Sequence, residues 1–190
     1  MYMMSMIKTA NVIGNGDSKR IYRDNGYFTV TCNLETNIRH DAVSIIDPQP
    51  IVWLENNGKT IDKPVWCRTS VSRMAIGKGM KMKFDECYKH ITRMNSGQHA
   101  VQRLCELGYE HIHLWGFDSL FAITTASPTM DELIPRSYRK PSLKQEWHEH
   151  WVNIHNEYLD VQFTVHAPVP GTLTNDRTRF KWDRRVEIPR

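Results

Sequence analysis

Residues 95–118 contain the sequence feature that most constrains the fold, a helix followed at once by a strand. Ser96 is a favourable N-cap, apolar residues recur after it at helical spacing, and Gly108 supplies the left-handed residue that commonly ends a helix. Residues 111–117 then alternate between apolar and polar side chains, which is typical of a strand. A helix joined so closely to a strand favours an open α/β sheet.

The rest of the chain alternates apolar runs with turn signals. Strands are predicted over residues 9–13, 27–32, 41–46, 51–54 and 64–67, a helix start over 19–22, a loop over 74–82 and a further helix over 145–158. We therefore predict one α/β domain over residues 1–170, a Rossmann-like and mostly parallel sheet flanked by helices. Residues 121–145, rich in Pro, Ser and Thr, form either a lid-like insertion or a surface loop. Residues 171–190 form a basic arm that packs on the domain or on a second subunit.

Composition narrows the partners without selecting one. The net charge of +4 permits anionic ligands but falls short of the dense basic face of a dedicated nucleic-acid binder, so nucleic acid is not the favoured partner. The four cysteines include no closely spaced pair, which disfavours a zinc site and a disulfide framework.

No window approaches the roughly 20 apolar residues of a membrane span, so we expect a soluble, cytoplasmic protein with reduced thiols. Aromatic side chains in the histidine-rich helix 145–158 and the basic arm favour a homo-oligomer.

Two glycine-bearing segments are candidate anion sites. Residues Gly14-Asn15-Gly16-Asp17-Ser18 follow the first strand, where backbone N–H groups beside a helix start favour a phosphate. Ser96-Gly97 opens the second helix, with Arg93 just before it. An ordinary turn and ordinary helix capping would also explain these two segments. Two such helix starts around one cleft would suit a nucleotide.

Histidines are the candidate proton-transfer groups. His111 and His113 share a strand face, but no third ligand accompanies them, so no metal site is predicted. His148 and His150 lie in the last helix, two residues apart and on different faces. One of them is a plausible general base, and an exposed polar residue on a helix is the alternative interpretation.

Taken together, the segments at residues 12–18, 32–33, 93–97 and 108–118 resemble the bacterial sialyltransferases that decorate lipooligosaccharide. The wider group that shares these segments includes motility accessory factors and an archaeal 6-hydroxymethylpterin diphosphokinase. The resemblance implies an inverting transferase that uses a cytidine monophosphate (CMP) sugar and needs no obligatory metal. The residues that it assigns to the nucleotide are Gly14, Asn15, Gly16, Asp17, Ser18, Asn33, Arg93, Asn95, Ser96, Gly97 and Asp118.

The catalytic residues implied by the same resemblance lie downstream of the strand that ends at Asp118. His148 is the first candidate for the base that deprotonates the acceptor, His150 is the second, and Tyr138 would assist the leaving phosphate. Asp17 stands where the family pattern has proline, which leaves the identity of the nucleotide open. The acceptor is not implied.

Two other functions remain open at this point. One is a magnesium-dependent transfer of diphosphate from ATP, for which Asp47 and Asp118 at strand ends would supply carboxylates. The other is a non-catalytic nucleotide- or protein-binding protein of viral or regulatory type.

Overall fold

A computed structural model of the chain describes residues 7–34, 37–88, 94–117, 145–166 and 186–187, with backbone only for 17–18, 145–148 and 186–187. The described part is built on one eight-stranded sheet in the order β5-β4-β3-β2-β1-β6-β7-β8, and all seven strand pairings are parallel. The strands are β1 Thr9–Ile13, β2 Phe28–Cys32, β3 Ala42–Ile45, β4 Val65–Cys67, β5 Phe84–Asp85, β6 His111–Trp115, β7 Gln162–His166 and β8 Val186–Glu187. The expectation of an open, Rossmann-like α/β sheet is confirmed.

Four α-helices accompany the sheet in the described residues, namely α1 Gln49–Asn56, α2 Thr69–Gly77, α3 Ser96–Glu106 and α4 Gln145–Glu157. A short 3₁₀-helix, Asp17–Ile21, follows β1 where a helix start was predicted over 19–22. A helix that connects two parallel strands must run back against them. The N-termini of α1, α2 and α3 therefore lie at the carboxyl edge of the sheet.

Apolar side chains form two cores on opposite faces of the sheet. One packs α3 and α4 against alternate residues of the central strands, such as Val12 and Val30. The other packs α1 and α2 against β3 and β4, with Val43 and Val65 at its centre. The first core covers one face of the sheet along its central strands, and the second covers the other face at β3 and β4.

Two sequence predictions about the first half of the chain are wrong. Residues 51–54 belong to helix α1 rather than a strand, because Ile51 and Leu54, one helical turn apart, are buried while Val52 is exposed. Residues 74–77 belong to α2 rather than a loop, with Ala75 buried against α1 and β3–β4. The apolar run at 51–54 is too short to distinguish a helix from a strand, whereas Gly77 and Gly79, which favoured a loop, lie at the end of α2 and just after it.

The described residues bear on only some of the remaining expectations about the chain. None of the helices in the described ranges combines the length and apolar character that a bilayer crossing demands. The four cysteines are free thiols, and burial raises the pKa of each to about 12. Nearly all of the lid-like insertion 121–145 lies outside the described residues. Of the basic arm, residues 186–187 are described, and they pair with β7 at the sheet edge.

Candidate functional site

The strand order places a crevice at the carboxyl ends of β1 and β6. From β1 the chain builds the sheet outward through β2 to β5, and then continues on the other side with β6, β7 and β8. Ligands of open α/β sheets bind at such a reversal, outside the carboxyl ends of the two strands. The loop that begins at Gly14 and the loop that begins at Gly116 border this point.

These two loops are joined by backbone hydrogen bonds. The N–H of Gly14 donates to the carbonyl of Trp115 at 2.7 Å, and the N–H of Gly16 donates to the carbonyl of Gly116 at 2.8 Å. A Cβ atom on Gly14 would lie 2.5 Å from the Gly116 oxygen, which only glycine avoids. The expectation that Gly14 and Gly16 offer free N–H groups to an anion is therefore wrong. These glycines permit the two loops to approach each other.

The N-terminus of α3 forms the second corner of the site. Asn95, and not Ser96 as expected, is the N-cap, since its side chain accepts from the Gln98 N–H while the Gln98 side chain accepts from the Asn95 N–H. This reciprocal pair is a capping box. The N–H groups of Ser96 and Gly97 have no acceptor within the helix. They leave a partial positive charge at the carboxyl edge of the sheet.

Asn33 and Ser96, 63 residues apart in the chain, meet at this corner. Asn33 follows β2 in a left-handed conformation, with φ at 60°, and its Oδ1 accepts from the Ser96 hydroxyl at 3.1 Å. The buried Ser44 hydroxyl donates to the Ser96 carbonyl at 2.8 Å and lies 2.8 Å from the Tyr88 hydroxyl. The first residue of α3 is thus fixed to the ends of β2 and β3.

The ring of Phe117 connects the two glycine corners. A Cβ atom on Gly97 would lie 2.8 Å from the ring, and one on Gly14 would lie 3.3 Å from it. Trp151 of α4 also packs on this ring in an edge-to-face arrangement, with ring centroids 5.7 Å apart. The two segments predicted to form one anion site therefore lie on either side of a single aromatic side chain.

Two cations at the carboxyl edge were not singled out from the sequence. Lys19 lies close enough to Cys32, at the end of β2, for its charge to oppose the rise in the pKa of that thiol. Arg68 follows β4 and stands in the N-cap position of α2. Both residues add positive potential beside the N-terminus of α3. Neither belongs to a recognisable motif, so only the folded chain brings them there.

His99, one turn into α3, is the functional candidate that the sequence analysis missed most clearly. The residue is 3% exposed, its ring stacks on Tyr88 with centroids 4.5 Å apart, and its Nε2 has no hydrogen-bond partner among the described residues. Burial, together with the nearby charges of Arg68 and His150, lowers the pKa of His99 to about 4. The ring is therefore neutral at pH 7. Its helical spacing alone marks His99 as an ordinary core-facing residue.

A group of histidines covers the opposite face of β6 and β7. Nδ1 of His113 lies 2.9 Å from Nε2 of His166, and Nε2 of His111 lies 2.8 Å from the Thr164 hydroxyl. Burial lowers the pKa of His113 and of His166 to about 4. Within the described ranges no three His, Cys, Asp or Glu side chains are grouped so that they could hold a metal ion.

The other candidate residues are only partly accounted for. Asn15 is half-buried in the first loop, and Asp17 and Ser18 begin the 3₁₀-helix, their side chains not described. His150 lies half-buried on α4, and only the backbone of His148 is described. Asp47 is exposed just after β3. Arg93, Asp118 and Tyr138 lie outside the described residues.

The parallel sheet, its reversal between β1 and β6, and the start of α3 define an open α/β protein of the Rossmann-like class. Comparison of the chain with models of known families, with curated proteins and with solved structures gives no match.

Proposed function

We propose that the protein is a glycosyltransferase that uses a nucleotide sugar, with a CMP-sugar as donor as in the bacterial sialyltransferases that its motifs resemble. One observation carries the proposal. Gly14 and Gly97, from the two segments that carry the resemblance, both pack on Phe117 at the carboxyl edge of the sheet. This is the edge where open α/β proteins bind nucleotides.

The electrostatics of the edge support an anionic donor. The N–H groups of Ser96 and Gly97 point outward from the start of α3, and helix N-termini stabilise phosphate groups. Lys19 and Arg68 supply positive charge close by. Donors held in place before the reaction stabilise the charge that develops on a leaving phosphate. The side chains of Asn33 and Ser96 present an amide and a hydroxyl to the nucleoside.

The reaction is a single displacement. The acceptor hydroxyl oxygen attacks the anomeric carbon, the bond from that carbon to the phosphate oxygen breaks, and CMP leaves with the electron pair. The acceptor proton passes to a histidine on α4, for which His148 and His150 are the candidates. The configuration at the anomeric carbon is inverted because the nucleophile enters opposite the leaving group.

A thermal-shift panel of CMP, CDP, UDP, ADP and ATP, with and without magnesium, tests the donor site. We expect CMP to raise the melting temperature without magnesium by roughly 5–10 °C at about 100 times its Kd, since a ligand that binds only the native state stabilises it by mass action. Ser96→Ala should weaken this shift, and Ser70→Ala, an exposed serine in the first turn of α2, should not. A shift produced only by ATP with magnesium would overturn the proposal in favour of diphosphate transfer through Asp47 and Asp118.

Release of CMP from a CMP-sugar tests the catalytic step. His148→Ala or His150→Ala should lower the turnover by about 10²–10⁴-fold, the usual contribution of one proton-transfer group, and leave CMP affinity unchanged. His155→Ala on the same helix is the matched control. Turnover that survives in both variants would exclude these histidines as the base. CMP binding with no turnover in the unmodified protein would indicate a non-catalytic binder.

A further inference from the structure

A cavity of about 480 Å³ lies along α3, on the face that packs towards residues 87–88. Its volume is within the range of small-molecule sites. Successive turns of the helix supply most of its described wall, and Cys87, Tyr88 and the last residue of α4 also line it. The side chains that matter here are His99, Gln102, Arg103, Glu106, Tyr88 and Glu157.

His99, one of the lining residues, contains an unsatisfied polar atom. Nε2 of His99 is buried and has no hydrogen-bond partner among the described residues. Such an atom costs free energy unless a ligand pairs with it. The low pKa of His99 keeps its ring neutral at pH 7. A hydroxyl group fits this nitrogen whichever tautomer is present, because a hydroxyl both donates and accepts.

The other described residues that line the cavity along α3 and α4 are polar and slightly acidic. Arg103 pairs with Glu106 at 3.6 Å, and the Gln102 amide donates to the same carboxylate at 3.3 Å. Glu157 adds a second carboxylate. Among the described lining residues, one guanidinium and two carboxylates give a net charge of −1, which disfavours an anion. Carboxylates and amides together provide the acceptors and donors that adjacent hydroxyl groups require.

The cavity is connected to the proposed donor site. The Tyr88 hydroxyl reaches Ser44, which donates to the Ser96 carbonyl at the start of α3. His150 lies close enough to His99 for a charge on its ring to lower the pKa of His99, so a group bound at His99 lies near a candidate base. We infer that this cavity binds the acceptor, a neutral saccharide, with one hydroxyl hydrogen-bonded to Nε2 of His99. The acceptor role rests on the proposed transferase function.

The inference assigns His99 a binding role and leaves proton transfer to α4. A nitrogen whose pKa is about 4 is a weak base at neutral pH but still accepts a hydrogen bond. His99 would therefore orient the acceptor hydroxyl, and a histidine of α4 would remove its proton.

Titration of the full chain with methyl β-D-glucopyranoside and methyl β-D-maltoside, followed by the imidazole ¹⁵N signals of the histidines, tests the site directly. The Nε2 signal of His99 should move in a saturable manner. The signal of His40, whose Nε2 is also buried without a partner among the described residues, is the internal control and should not move. No movement at His99, or equal movement at His40, would overturn the inference.

Two variants sharpen the test. His99→Phe keeps an aromatic ring against Tyr88 and removes the unsatisfied nitrogen, so it should retain the melting temperature and lose saccharide binding at least tenfold. Methyl β-D-glucuronide should bind roughly tenfold more weakly than the glucoside, because like charges repel, and Glu157→Gln should reduce this difference. Unchanged saccharide affinity in His99→Phe, or a glucuronide that binds better than the glucoside, would contradict the site as described.

The outcomes separate the two proposals. A CMP-induced shift without any saccharide effect at His99 would overturn the acceptor site and leave the donor site standing. A saccharide effect at His99 without any nucleotide binding would support the saccharide site and overturn its role as an acceptor site.

Discussion

Gly14→Ala should lower the free energy of unfolding by about 3 kcal/mol, the cost of forcing a methyl group into a well-packed contact. The new Cβ would lie 2.5 Å from the carbonyl oxygen of Gly116. That oxygen already accepts the N–H of Gly16 at 2.8 Å, so it cannot move away without losing this hydrogen bond. The melting temperature should fall by roughly 6–12 °C, measured by circular dichroism.

Gly77→Ala is the matched control for this substitution. Gly77 is the last residue of α2, and a Cβ atom there meets nothing within 4 Å. The substitution should leave stability unchanged or raise it by up to about 1 kcal/mol, since alanine favours the helical conformation. If Gly14→Ala melted at the same temperature as Gly77→Ala, the close approach of the two loops would be refuted. Because these loops border the proposed donor site, Gly14→Ala should also weaken the CMP-induced shift.

Acidification from about pH 7.5 to about pH 5 should destabilise the protein by a few kcal/mol through its buried histidines. The pKa values of His99, His113 and His166 are lowered to about 4, chiefly by burial, and an unfolded histidine titrates near pH 6.5. Between these values the unfolded chain binds more protons than the folded one. Stability is therefore complete above about pH 6.5 and is lost as the pH falls towards 4. The loss of stability is smaller than three full pKa shifts would produce, because His113 and His166 are half-exposed and screened by solvent.

Urea unfolding at several pH values measures this effect, and His166→Gln is the variant that assigns it. Glutamine can still hydrogen-bond to Nδ1 of His113 but does not titrate, so the variant should lose less stability on acidification than the original chain. The replacement also relieves His113 of a nearby positive charge at low pH. An identical loss of stability in both proteins would show that these histidines do not carry the acid sensitivity.

The elements that the sequence predicted correctly are those with strong local signals. Helix α3 begins at Ser96, one residue after its N-cap, and is followed by Gly108 at φ 76°. Both ends were predictable because helix capping and left-handed glycine act within a few residues. Strand β1 was predicted with its observed bounds, and its run of buried residues is followed directly by Gly14. The wrong predictions concern short apolar runs, such as Ile51 to Leu54. Such a run contains too few residues to reveal a period, so its partners in the core decide between helix and strand.

The residues of the candidate site also divide into those with a local sequence signal and those without one. The motifs located the two glycine corners and the pairing partners Asn33 and Ser96, because these residues recur at recognisable spacings. The motif spacings did not predict the role of Phe117, which contacts both glycine corners. They also did not predict Lys19 and Arg68, which the strand order brings to the carboxyl edge of the sheet. The glycine loop was also assigned the wrong physical role. Its N–H groups bind the neighbouring loop, a contact between residues about one hundred positions apart.

By itself the sequence determined the class of fold and the edge of the sheet where a ligand is expected. Hydrophobic periodicity, helix caps and glycine turns act over a few residues, so they can be recognised in the sequence whatever the order of the strands in the sheet. Only the tertiary structure decided which corners touch, which histidine lies buried beside a cavity, and which N–H groups are already bonded. Those properties depend on burial and on pairing between distant segments, and they exist only once the strands are arranged side by side.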